Sequence, residues 1–282
     1  LQEGKERVDR TNVGTLSIFG PQLTFSLKNN RFPLLTTKLI QFKNVAIELL
    51  WFIKGSTDSE ELKAQKVNIW NANGSRDFLD KRGLVHREVG DLGPVYGFQW
   101  RHFGAEYVNK HPDYSGKGID QLQECIRMIK EEPESRRILQ SAWNPCQLDE
   151  MALPPCHVLV QFQVELSSKE DGGSPVLNCK MYQRSADLGL GVPYNIASYA
   201  LLTYMVAHVT NLLPGKLILT FGDAHVYKTH VDKLNEQLTR IPNSFPTLRF
   251  ARKVDSIDDF QLEDIILEDY NHYPFLSMPM AV

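Results

Sequence analysis

The sequence predicts a single α+β domain built on a large sheet flanked by helices. Three observations point there. Residues 157–165 alternate at period two, with Val158, Val160, Phe162 and Val164 on one face, and 176–184 do the same with Leu177, Cys179 and Met181. Helical apolar spacing runs from Lys43 to Lys54 and again from Asp120 to Glu132, where Pro133 halts it. Strands and helices mix without regular βαβ alternation, and no Ser/Gly/Pro linker divides the 282 residues.

The first helix embeds Glu48 among Ile47, Leu49 and Leu50, so its carboxyl is expected to be buried with a raised pKa. The connector 167–175 between the alternating strands holds Lys169-Glu170-Asp171 and a Gly-Gly pair, which reads as a solvated hairpin loop. From Val192 to Leu213 there is no Asp, Glu, Lys or Arg. Asn195, Ser198, Thr203, His208 and Asn211 lie inside that run and prolines stand at both ends, so a buried core helix is expected, not a membrane span. Asn195, just after Pro193, suits a helix cap. Lys216 to Phe221 predicts another strand, and His230 to Arg240 a last helix.

Composition narrows the function classes. Hydrophobic residues make up 42% and charged residues 23%, as in ordinary soluble domains. A formal net charge of −3 gives no global attraction to nucleic acid or anionic membrane, so any anion site must be a local cluster of arginines. Cys125, Cys146, Cys156 and Cys179 form neither a disulfide framework nor a C-x-x-C metal pattern, and reduced thiols in a cytosolic or nuclear setting follow. The N-terminus lacks the pattern of a signal peptide and begins at Leu1 in place of Met.

Cys156 carries the most information. Pro154 and Pro155 stiffen the chain before it and cannot join a ladder, so the thiol sits at the mouth of the strand that follows. A free thiol ionises near ~8.5, and a fixed cation beside it lowers that value. Arg184 supplies the cation if the two alternating strands pair as a hairpin. His157 is tempting as a base, but consecutive strand residues point to opposite faces. It reads better as a satisfied or solvated histidine. Cys125 and Cys179 fall on apolar faces and read as core, while Cys146 receives no role.

The runs Leu153-Pro154-Pro155-Cys156-His157, Gln183-Arg184-Ser185-Ala186-Asp187 and Gly222-Asp223-Ala224-His225-Val226-Tyr227 are long and specific. With Asp9-Arg10-Thr11-Asn12, Arg136-Arg137 and Asp91-Leu92-Gly93-Pro94-Val95-Tyr96-Gly97, the chain resembles the thymidylate synthases from Arg10 to Val282. The resemblance implies a large mixed sheet with one face used for homodimerisation. It further implies reductive methylation of deoxyuridylate (dUMP) to thymidylate (dTMP), with 5,10-methylenetetrahydrofolate as carbon and hydride donor. Cys156 would be the nucleophile, with Glu48, Tyr96, His157, Asn195 and Asp187 serving the chemistry.

The nucleotide would be held by Arg10, Arg184, Ser185, Gln183, Asp187, Asn195, His225 and Tyr227, and by Arg136 and Arg137 from the partner of an obligate homodimer. Lys38, Ile69, Trp70, Asn73, Asp187, Leu190, Gly191, Tyr194, Met280 and Ala281 would line the folate pocket, with residues 278–282 as a lid. No metal, membrane or nucleic acid is needed. Asn195, an amide where a carboxylate would favour cytosine, opposes a hydroxymethylase of the same fold. A non-catalytic nucleotide- or RNA-binding homologue is the rival from another class, and a Cys-His hydrolase a distant third. Three departures stand out: Tyr194 where phenylalanine is common, a lengthened loop at 167–175, and Tyr270-Asn271-His272-Tyr273-Pro274, whose missing first proline should loosen the approach to the tail.

Overall fold

The computed structural model describes residues 1–8, 13–166 and 173–280. Arg10, most of the 167–175 connector, Ala281 and Val282 lie outside the described residues. In order, the chain forms β1 (Lys5–Arg7), β2 (Thr15–Phe19), β3 (Gln22–Ser26), α1 (Phe42–Ile53), α2 (Ser59–Ala64), α3 (Arg76–Lys81), α4 (Tyr96–His102) and α5 (Gln121–Glu131). There follow β4 (Leu139–Ser141), β5 (His157–Glu165), β6 (Val176–Asp187), α6 (Gly191–Val209), β7 (Leu213–Tyr227), α7 (Val231–Leu238), β8 (Thr247–Phe250) and β9 (Ile265–Glu268). No described helix is long and apolar enough to cross a membrane.

The period-two reading sets the core. β5 and β6 pair antiparallel with Val160 opposite Met181, Phe162 opposite Cys179 and Val164 opposite Leu177, all buried. The intervening Gln161, Gln163, Glu165 and Lys180 are exposed on the outer face, as a sheet covered on one side requires. α5 forms where its pattern predicts, with the Asp120 carboxylate accepting from the Gln123 amide at 3.0 Å as an N-terminal cap.

The main sheet runs β1-β2-β7-β6-β5-β4, and β3 also pairs with β7. β2 and β3 lie end to end along one edge of β7, with Phe19 opposite Asp223 and Gln22 opposite Thr220. Among the described residues only β6 and β7 are parallel, which makes the sheet mixed. A parallel pair needs a crossover, and α6 supplies it. Fifteen of its 19 residues are buried, because α6 lies between the sheet and α1.

Several boundaries differ from the sequence reading: β6 runs on to Asp187, β7 starts already at Leu213 and α7 spans only Val231–Leu238. β7 runs on past Phe221 through Gly222 to Tyr227, because the parallel register with β6 continues to Asp187 opposite His225. Glycine is required at 222, since a Cβ there would lie 2.7 Å from the Arg184 carbonyl. α6 stops at Val209, where the Thr210 hydroxyl donates back to the Val206 carbonyl at 2.8 Å and Asn211 turns left-handed at φ 56°.

This topology gathers chemistry at one end of the sheet. The C-terminal ends of β6 and β7 lie side by side, next to the start of β5 and the first turn of α6. Phe162→Ala should cost about 3–5 kcal/mol, seen as a lower denaturant midpoint at unchanged slope. A midpoint equal to the parent's would show that the inner face does not depend on that ring.

Candidate active site

Cys156 stands one residue before β5, half-buried. Its two preceding prolines offer carbonyls but no donors, and Arg184 takes both: Nη2 donates to Pro154 O at 3.0 Å and Nε to Pro155 O at 2.8 Å. The Arg184 amide donates to the Cys156 carbonyl at 2.9 Å. These bonds leave Nη2 3.8 Å from Cys156 Sγ, so the cation expected from the hairpin is in place. The ring of Trp143 lies 5.5 Å from the same guanidinium.

The Tyr96 hydroxyl holds the thiol's backbone from behind, accepting from the amides of Cys156 at 2.7 Å and His157 at 3.4 Å. Burial pushes this phenol well above its ordinary pKa. His157 is not solvated. Its ring packs between Tyr96 at 5.1 Å and Tyr199 at 5.2 Å, its Nδ1 is buried without a partner among the described residues, and burial pulls its pKa down to about 4. That packing leaves the Cys-His hydrolase reading without geometric support.

Glu48, on α1, accepts from the Trp70 indole N–H at 2.7 Å. Burial raises its pKa to about 7, with the indole bond opposing. This bond joins a residue expected to serve the chemistry to one expected to line the folate pocket.

At the end of β6, the buried Gln183 donates to the Ser185 carbonyl and to Asn195 Oδ1, both at 2.9 Å. Asn195 is therefore not a cap. Leu190 occupies that position, and Asn195 lies inside α6 with its amide turned back to the strand. Asp187 Oδ1 accepts from the amides of Gly189 at 2.8 Å and Leu190 at 3.3 Å, fixing the turn into α6. Lys38 is buried against this turn, donating to the Gly189 carbonyl, and burial lowers its pKa to about 8 while Asp187 opposes. His225, opposite Asp187 in the register, lies 3.1 Å from Asp223 through Nδ1 and edge-on to Tyr227.

The expected folate side is less tightly bonded. Trp70 is buried between Trp51 and Tyr96, whereas Ile69 and Met280 are exposed and Asn73, Leu190, Gly191 and Tyr194 half-buried. Several contacts hold the approach to the tail. The Tyr270 hydroxyl accepts from the Ile40 amide and donates to the Leu35 carbonyl, the Tyr273 amide donates to Thr36 O, and Arg240 lies 5.3 Å over the Tyr273 ring.

Arg136 and Arg137 are not brought to this site. Leu139 pairs with Gln161, so the Arg-Arg pair lies beyond mid-strand on β5, roughly 15–25 Å along from Cys156 at ~3.3 Å per residue. Both are exposed, and Arg136 lines a hollow on the outer sheet face with Gln161, Gln163 and Lys180. Among the described residues no cluster of His, Cys, Asp and Glu could hold a metal ion.

A family model described as thymidylate synthase matches residues 1–282. The chain belongs to the thymidylate synthase family. The thymidylate synthase of Herpesvirus ateles is 62% identical over 282 residues, covering 100% of this chain and 94% of the relative. That of Homo sapiens is 58% identical over 282 residues (100% and 87%), and that of Saccharomyces cerevisiae 56% over 284 residues (100% and 93%). Membership makes the chain a methyltransferase enzyme.

Sequence reasoning missed Trp143, Tyr199 and His230 around the thymidylate synthase site. Their side chains reach it only through tertiary packing, and a lone aromatic or histidine in a single sequence carries no such signal.

Glu48 and His157 tilt stability in opposite senses. Between pH 4.5 and about 7 the folded chain holds a proton on Glu48 that the unfolded chain releases, so this contribution falls as pH rises and is level above. His157 ordinarily titrates at 6.5 and when folded at about 4, so its contribution is lost as pH falls through that window. Glu48→Gln should remove the first slope alone. The stability of the variant relative to the parent, followed by denaturation, should then climb between pH 4.5 and 7. A flat difference would mean that Glu48 ionises as an ordinary glutamate.

Proposed function

We propose that the enzyme converts dUMP to dTMP, taking a one-carbon unit and a hydride from 5,10-methylenetetrahydrofolate and releasing dihydrofolate. The observation that carries this reading is the half-buried Cys156 with the Arg184 guanidinium at 3.8 Å, at the sheet end where Asn195 and Asp187 also stand. The Cys156 thiolate adds to C6 of the pyrimidine, and the electron pair passes to C5, which becomes the carbon nucleophile. C5 bonds to the folate methylene carbon as that carbon's bond to N10 breaks, then loses its proton, and the remaining bond from that carbon to N5 breaks. Hydride from tetrahydrofolate completes the methyl group, leaving dihydrofolate, and the Cys156–C6 bond cleaves to regenerate the thiolate.

Each side chain has a part in this. Asn195, its amide held by Gln183, reads the uracil edge through one donor and one acceptor. Glu48, with a pKa of about 7, is poised to hold or release a proton near the pyrimidine, and Tyr96 and His157 shape its surroundings. His225 and Tyr227 meet the sugar. Arg184, Ser185 and Arg10 hold the phosphate, joined by Arg136 and Arg137 of the partner subunit. The distance of the Arg-Arg pair from its own thiol and the uncovered outer sheet face both support a homodimer built through that face. Trp70, Ile69, Leu190 and Tyr194 offer an aromatic and aliphatic wall that suits a flat pterin. Residues 278–282 cover it, and the loop 167–175 is a surface insertion without chemistry.

Dihydrofolate formation, followed by absorbance with dUMP and deoxycytidylate in parallel, should appear with dUMP alone. Nucleotide binding without turnover would sink the reading. Cys156→Ala should still bind dUMP while turnover falls by roughly four orders of magnitude or more. Undiminished turnover would remove the thiol from the mechanism. Mixing Arg136→Ala/Arg137→Ala subunits with Cys156→Ala subunits should restore one working site per mixed dimer. Demonstrated mixed dimers that stay inactive would place the arginines elsewhere.

A further inference from the structure

His230 has no part in the reading above, yet it is fully buried. It ends the short turn Lys228–His230 that joins β7 to α7. Its Nε2 lies 2.7 Å from the Pro279 carbonyl. A carbonyl only accepts, so Nε2 is the donor. On the other side of the ring, Nδ1 faces Asp187 Oδ1 at 3.7 Å, too far for a hydrogen bond, and has no hydrogen-bond partner among the described residues. Gly189 closes the space behind it, since a Cβ at that position would lie 2.6 Å from Nδ1. One imidazole therefore touches both the turn that opens the pocket and the end of the chain. Leu276 and Met278 are buried just before that contact, and Met280 just after it is exposed.

We propose that His230 is a positioning residue for the reaction, tying the C-terminal tail to the Asp187–Gly191 turn so that the tail sits over the folate side of the pocket. The inference rests on the function proposed above. It also makes a distinction between the two ring nitrogens. Glutamine at 230 carries its amide nitrogen about where Nε2 stands and keeps the bond to Pro279. Asparagine, one carbon shorter, reaches only the Nδ1 position and loses it.

The first experiment needs no turnover. Carboxypeptidase release of the last three residues from the unliganded protein, followed by mass spectrometry, should be as slow for His230→Gln as for the parent. For His230→Asn it should be about tenfold faster, the loss of one buried hydrogen bond. Steady-state kinetics of the same proteins should show a KM for methylenetetrahydrofolate raised about tenfold in His230→Asn alone, with KM for dUMP within about twofold of the parent. Equal behaviour of the two variants, in either assay, would reduce His230 to a space-filling ring and overturn the proposal. Faster tail release with an unchanged folate KM would overturn it too, because the tie would then not serve the reaction. A parent enzyme that forms no dihydrofolate would instead refute the proposed function, and the release assay would still decide whether the tie exists.

Discussion

The pocket depends on the way Arg184 fastens a proline-rich loop to a strand. Two consecutive prolines deprive the loop of donors, so nothing in the sheet ladder can hold it. The guanidinium and backbone amide of Arg184 take the carbonyls of Pro154, Pro155 and Cys156 in turn. One residue thus sets the height of the thiol above the sheet and brings a positive charge to it. A charge-assisted bond to a carbonyl is stronger than a neutral one, and these are shielded by the half-buried loop itself. Lysine could supply the charge but not two directed bonds from one planar group.

The rest of the site follows from the parallel pairing of β6 with β7. Because β6 and β7 run the same way, their ends deliver Asp187 and His225 to neighbouring places. The crossover α6 must start where β6 ends, which puts the Asn195 amide oxygen 2.9 Å from Gln183 Nε2. Glu48 and Tyr96 come from the helices α1 and α4. Function here is a product of strand direction before it is a product of any one side chain.

Much of this was legible in the sequence, for a physical reason. β5 and β6 each bury one face, so their alternation shows the register directly, and α5 announces its ends with Asp120 and Pro133. The far half of β7 was hidden because Gly-Asp reads as a turn unless a parallel neighbour is known to lie alongside. Asn195 looked like a cap because Pro193 stands where helices often begin, whereas the helix starts earlier at the Asp187 turn. Residue identities at the site came from motifs. The bonds among them, such as Trp70 to Glu48, did not, since they join segments that only packing brings together.

The end-to-end placement of β2 and β3 along β7 has a consequence for the birth of the protein. Thr15 finds its partner only in Tyr227, 212 residues further along the chain. At typical rates of synthesis that partner emerges on the order of ten seconds or more later. Until then the early strands have no edge to join, and the apolar segment that will become α6 has no completed sheet to lie against. Such long-range closure is slow and leaves sticky surface open to neighbours. The sheet end that carries Asp187 and His225 therefore cannot close until synthesis has passed Tyr227.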